Sequence, residues 1–189
     1  MNDKKKTIIT TTWNYLLRTG LADASIGDLC RKEKLAQSSL YYWFKNKEEI
    51  WNSAGEYGLS KVVDALFAFT FDHVNEPKKY FDTLLDEVEK YKHELRLAIQ
   101  ITTSPVFGRS MRDKANDFKI LYEKYAEKIV GIFGSTYHQS EIFIYTIIVC
   151  VIDYAIWDDR EKTQMLLENL YERVADVIQS INKRNILDK

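Results

Sequence analysis

The chain has 189 residues, enough for one ordinary domain or for a small domain joined to a larger one. Hydrophobic residues make up 46% of it, which excludes a wholly disordered polymer. Lys and Arg total 27 against 28 Asp and Glu, so the net charge of -1 by itself announces neither a nucleic-acid nor a membrane-surface partner.

Seven Gly and two Pro are few for a chain of strands and turns, and the first expectation is an all-α fold. Cys30 and Cys150 stand far apart without partners at metal-ligand spacing, so neither a disulfide framework nor a metal site is expected. The opening Met-Asn-Asp-Lys-Lys-Lys-Thr has charge but no apolar run behind it, and does not read as a signal peptide. The most apolar stretch, Ile142 to Trp157, is shorter than the roughly 20 residues of a spanning helix and is interrupted by Asp153. A soluble cytoplasmic protein with no membrane partner is the expectation.

The first predicted helix, about Lys4 to Thr19, places Ile9, Trp13, Leu16 and Leu17 on one face, with Gly20 as its stop. Ser25 caps a short second helix, Ile26 to about Glu33, where Asp28 favours the positive end and Ile26, Leu29 and Cys30 turn inward. A third short helix follows from about Gln37 to Trp43. Asn46, with Glu49 three residues on, opens a long fourth helix that runs to Asp72. Gly55 and Gly58 each weaken that helix by about 1 kcal/mol relative to Ala and mark a bend or a close contact. Five more helices are predicted: Pro77 to Lys92, His93 to Thr102, Ser110 to Phe133, Ser140 to Trp157, and Glu161 to Lys183. In the last, Leu166, Leu170, Val174, Val177 and Ile181 form a helical stripe.

The segment Gly20 to Trp51 carries the functional signal. Two short helices joined by a tight turn are a helix-turn-helix, whose second helix enters the DNA major groove. Leu35, Leu40 and Phe44 form its inner face, leaving Gln37, Ser38, Ser39, Tyr41 and Tyr42 outward with Lys45 and Lys47 beyond. Gln37 and the serines suit base edges, while tyrosine hydroxyls and lysine amines suit phosphate oxygens. Ser25 joins this set at the start of the second helix, and Lys4, Lys5 and Lys6 are a candidate arm on phosphate or the minor groove. Residues 1–53 hold nine Lys and Arg against six Asp and Glu, and residues 54–189 hold 18 against 22, so a basic head sits on an acidic body.

At these residues the chain resembles the TetR family of bacterial transcriptional repressors. The match lies in Gly20-Leu-Ala-Asp-Ala-Ser-Ile-Gly-Asp-Leu and in Leu35-Ala-Gln-Ser-Ser-Leu-Tyr-Tyr-Trp-Phe-Lys-Asn-Lys-Glu-Glu. Gly20, Ser25, Leu40, Tyr41, Phe44 and Lys47 occupy the places of the family pattern. Four positions depart from it: Lys34 stands where a turn glycine is usual, Thr11 and Thr12 where alanines are usual, and Gly27 where some relatives carry a DNA contact. A left-handed Lys34 costs roughly 1–2 kcal/mol. The resemblance implies an N-terminal homeodomain-like DNA-binding domain (1–53), a C-terminal effector-binding and dimerisation domain (54–189), and about nine helices. It further implies a homodimer on a palindromic double-stranded operator, joined through the last two helices, about 140–157 and 161–183. An unidentified small molecule would shift the long fourth helix and release DNA.

For that effector, Phe67, Phe71, Phe107, Phe118, Tyr122, Tyr125 and Phe143 are candidate apolar lining, with His93, Arg96, Arg109 and Asp153 as candidate polar anchors. The Ser140–Trp157 helix is apolar nearly all round and needs cover on more than one side. Three scattered His, two lone Cys and the lack of a Gly-rich phosphate loop offer no catalytic constellation, so no catalytic residue and no cofactor is expected. A helical protein-interaction module is the alternative reading, with a motif-free enzyme behind it.

Overall fold

The computed structural model describes residues 3–108, 123–131 and 135–187, the stretch 176–187 in backbone only. Among the described residues there are eight helices and no strand: α1 (Asp3–Thr19), α2 (Ile26–Glu33), α3 (Gln37–Trp43), α4 (Lys47–Asp72), α5 (Pro77–Thr103), α6 (123–131), α7 (Tyr137–Trp157) and α8 (Arg160–Leu187). The all-α expectation is met. The chain forms two compact units, Met1–Ala65 with Tyr91–Ala115, and Leu66–Lys90 with Asn116–Lys189.

In the first unit, local chemistry sets each boundary. Gly20 adopts φ +80, and its N–H reaches back to Leu16 O at 2.8 Å, closing α1. Ser25 is extended, and its hydroxyl accepts the N–H of Asp28 at 3.1 Å, satisfying one of the open donors of α2. Lys34 ends α2 in the left-handed region at φ 54, the conformation its place in the turn demands. Asn46 Oδ1 accepts from Glu49 N–H, but the Glu49 carboxylate accepts from Lys45 N–H rather than from Asn46, so the box ahead of α4 closes one residue early. Inside this frame Trp13, Tyr15, Leu16, Leu29, Leu40, Phe44, Ile50, Trp51 and Ala54 form a continuous core with Leu97, Ala98 and Ile101 of α5. Gly58 is a close contact: a side-chain methyl there would overlap the Trp13 indole.

The second unit contains residues 66–72 of α4, 77–90 of α5, and α6, α7 and α8. Tyr80, Phe81, Leu84, Leu85 and Val88 of α5 are buried here, as are Ile144, Val151, Tyr154, Ala155 and Leu167. Polar ties fix the helices: Tyr154 donates to Glu89, Arg160 pairs with Asp86, and Gln164 Nε2 donates to Phe81 O at 3.3 Å.

Two expectations are corrected. The helices predicted as Pro77–Lys92 and His93–Thr102 are one helix, because neither Gly nor Pro interrupts the run. The apolar helix begins at Tyr137, not Ser140, because Thr136 and Gln139 form a full capping box ahead of it. At 21 residues α7 is therefore long and apolar enough to cross a membrane by length and composition, a test that core helices also pass. Asp158, left-handed at φ 63, terminates it. Of the predicted Ser110–Phe133 helix, residues 123–131 are helical and the rest lies outside the described residues.

Candidate nucleic-acid interface

α3 has one anchored face and one open face. Leu40 is fully buried, and Phe44, just past the helix end, is nearly so. Gln37, Ser38, Ser39, Tyr41, Tyr42 and Lys45 are all exposed. Tyr42 is 77% exposed and packs edge-on against Trp43 with ring centroids 4.8 Å apart. Short hydroxyls and an amide at the helix start, followed by two phenols and an amine, are what a groove-reading helix presents. The α2–α3 turn carries this surface on backbone bonds from Lys34 and Leu35 N–H to Cys30 O.

Ser25 and Lys47 are placed differently from the α3 residues. The Ser25 hydroxyl is engaged in capping α2. Lys47 Nζ donates to Ala24 O at 3.1 Å and lies over the rings of Trp51 and Phe107 at 5.3 and 5.6 Å. An ammonium has three donors, so this bond leaves others for a phosphate, but Lys47 also ties the start of α4 to the residue before the α2 cap. Lys5 of the candidate arm lies over the Phe44 ring at 5.0 Å.

Sequence reasoning missed Tyr15. Its phenol accepts Ser25 N–H at 3.2 Å and donates to Asp28 Oδ2 at 3.1 Å, clamping the start of α2. The signal was a tyrosine amid apolar residues, whose polar tip needs a partner once buried. Lys32 at 3.0 Å and Arg31 also hold Asp28, and these hydrogen bonds lower its carboxyl from 3.8 to about 2. Burial is the larger reason that the Tyr15 phenol is raised.

The candidate effector residues fall in separate places. Phe71 and Phe143 line a cavity of about 590 Å³ within the second unit, bounded by α4, α5, α7 and α8 and by Ile129 of α6. Phe67 and Tyr125 stack on one another nearby at 3.4 Å and pack against Ala126, Ile129 and Ile144. His93 and Phe107 belong to the first unit, where His93 Nε2 meets Leu17 O at 2.8 Å and Phe107 packs on the core. Arg96 is in that unit too, and Asp153 is half-buried on α7 without lining the cavity. Arg109, Phe118 and Tyr122 lie outside the described residues. The residues that add to this cavity, Tyr80, Phe81, Cys150, Leu170 and Arg173 among them, come from helices remote in sequence, so no local motif marked them. Among the described residues no group of His, Cys, Asp and Glu is placed to hold a metal ion.

No known family model matches the chain, and no curated protein matches it. Its structure is similar to the crystal structure of a transcriptional regulator (TerR/AcrR family) from Aquifex aeolicus VF5, with a TM-score of 0.55 and 19% identity. The match covers 92% of this chain and 99% of that one. The two share a fold over nearly their whole lengths, and it is the fold that the Gly20–Trp51 motif led us to expect.

Proposed function

We propose that this chain is a sequence-specific DNA-binding transcriptional regulator, a cytoplasmic homodimeric repressor released by a small-molecule effector. The observation that carries the reading is α3: a helix anchored by Leu40 and Phe44 whose remaining face is exposed Gln37, Ser38, Ser39, Tyr41 and Tyr42. Gln37 would read a base edge, Tyr41, Tyr42, Lys45 and Lys47 would hold phosphates, and Ser25 would orient α2 behind them. We take residues 1–53 as the DNA-binding domain and residues 54–189 as the effector and dimer domain.

The dimer reading is supported by α7. Ile142, Tyr145, Val149, Ile152 and Ile156 are exposed along one line, at alternating steps of three and four residues. That is the spacing of a helix-to-helix seam, and Met165 and Leu166 add exposed apolar surface on α8. A second copy, packing two-fold on the same helices, would cover it and set two α3 helices on a palindromic site.

Fluorescence anisotropy with duplexes from the DNA upstream of the chain's own coding region tests this. A preferred duplex, bound with an affinity that falls steeply as salt rises, is the expected result. Equal, weak affinity for every duplex at each salt concentration would refute sequence-specific regulation and favour a protein-interaction module.

A further inference from the structure

We propose that the cavity of the second unit binds an amphipathic monoanion, an alkyl or aryl carboxylate whose apolar body fills the chamber and whose carboxylate meets Arg173 at its edge. This deepens the effector reading above and rests on it for any effect on DNA, though not for the binding itself.

The volume of about 590 Å³ lies within the roughly 300–1,000 Å³ usual for small-molecule sites. Phe71, Val74, Phe81, Phe143 and Leu170 supply apolar wall. Apart from Arg173, several polar wall groups already have partners within the protein. Ser135 Oγ and Ser140 Oγ are 2.7 Å apart, and Thr70 donates to Leu66 O at 2.8 Å with Tyr80 OH 3.3 Å away. Thr146 donates to Ile142 O, and Asn169 Nδ2 to Met165 O, each at 2.8 Å. An apolar guest therefore strands none of these donors.

Charge selects among apolar guests. The chain has 28 acidic residues, yet none of the described residues lining the cavity is Asp or Glu. Arg173 is exposed and lines the cavity, and among the described residues it has no carboxylate partner. His73, also lining, holds Phe69 O through Nδ1 at 2.9 Å. Burial pushes the Tyr80 phenol up to about 12, so it adds no negative charge near neutral pH. A cationic guest would meet Arg173 with no carboxylate among the described residues of the wall, whereas a carboxylate gains a bidentate partner.

Calorimetric titration of the full chain with decanoate, 1-decanol and decylammonium, which share one apolar body, is the test. Decanoate is expected to bind about two- to five-fold tighter than decanol, the range of an exposed charged pair, and decylammonium weaker than either. Arg173→Gln should erase the decanoate preference and leave decanol affinity unchanged. Val74→Trp should fill the chamber and weaken both by about ten-fold or more. Equal affinities on the unaltered chain, or a preference that survives Arg173→Gln, would overturn the anion assignment. No saturable binding of any of the three would overturn the site.

Should Val74→Trp fail to fold, alkylation of Cys150 by N-ethylmaleimide in a Cys30→Ala background reads occupancy directly, because Cys150 lines the cavity. Decanoate should slow that reaction, and an unchanged rate would contradict the site. Decanoate that binds but leaves the DNA complex intact would remove the effector reading alone. Absence of any DNA binding would remove the regulator reading and leave these measurements standing.

Discussion

Gly58 on α4 lies against the indole of Trp13 on α1 so closely that a methyl group at Gly58 would overlap the ring. Trp13 is only 3% exposed and has no room to retreat. Ala at this position would gain about 1 kcal/mol in helix propensity, while forced overpacking costs about 1–3 kcal/mol. With the methyl carbon well inside contact distance of the indole atoms the upper end of that cost applies, and Gly58→Ala is expected to lower stability by up to about 2 kcal/mol, read as a reduced denaturant midpoint. A raised midpoint would mean that α1 and α4 do not pack in this way.

Lys45 and Lys47 should separate affinity from stability. Lys45 is exposed, so Lys45→Met should leave stability unchanged and reduce the salt dependence of DNA binding by about one counterion. Lys47 is bonded to Ala24 O, and Lys47→Met should also cost about 1 kcal/mol of folding stability. Thermal unfolding beside DNA titration distinguishes the two, and identical behaviour would contradict the placement of Lys47.

Asp28 gives the first unit an acid-sensitive clamp. Lys32 first, then Arg31, hold its carboxyl at about 2 against an ordinary 3.8. A lowered folded-state value means that the group stabilises the fold above the unfolded value, and that this contribution disappears as pH falls from near 3.8 through about 2. Asp28→Asn should therefore be less stable than the unaltered chain near neutrality, with the gap closing over that acid window. Thermal midpoints measured across it check the sign, and a constant gap would show that the clamp is not electrostatic.

The helix-turn-helix was legible because its signals are local. Gly20 and Ser25 act within a few residues, and α1 ends and α2 begins at these caps, whereas α3 starts after Ala36 with no side-chain cap. The apolar start of α7 was misread because Thr136 and Gln139, the actual cap, precede the hydrophobic run. The break expected at Lys92 had no residue to enforce it, and α5 runs through it. Long-range chemistry was not legible at all. Lys47 finds a carbonyl 23 positions earlier, His93 one 76 earlier, and the cavity joins five helices. Aromatic residues alone do not say which of two units they serve: Phe107 looks like Phe71 in the sequence, yet it packs on the first core.

The α7 seam predicts a clean change in mass. Ile156 is 42% exposed and does not line the cavity, so Ile156→Glu removes little from the single chain's interior but buries a charge in a two-fold seam. Sedimentation at micromolar concentration should give a dimer for the unaltered chain and a monomer for the variant. A monomer in both cases would remove the proposed dimer, and a dimer in both would move it to another face.

Selection from a random duplex library is the decisive test of the proposed sequence-reading role of α3. The unaltered chain should enrich a palindrome with half-sites about one or more helical turns apart. Gln37→Ala should lose preference at one base position in each half-site, while Tyr42→Ala should bind every sequence more weakly with the preference unchanged. A library that shows no enrichment after selection, or a preference that Gln37→Ala leaves intact, would rule out sequence reading by α3.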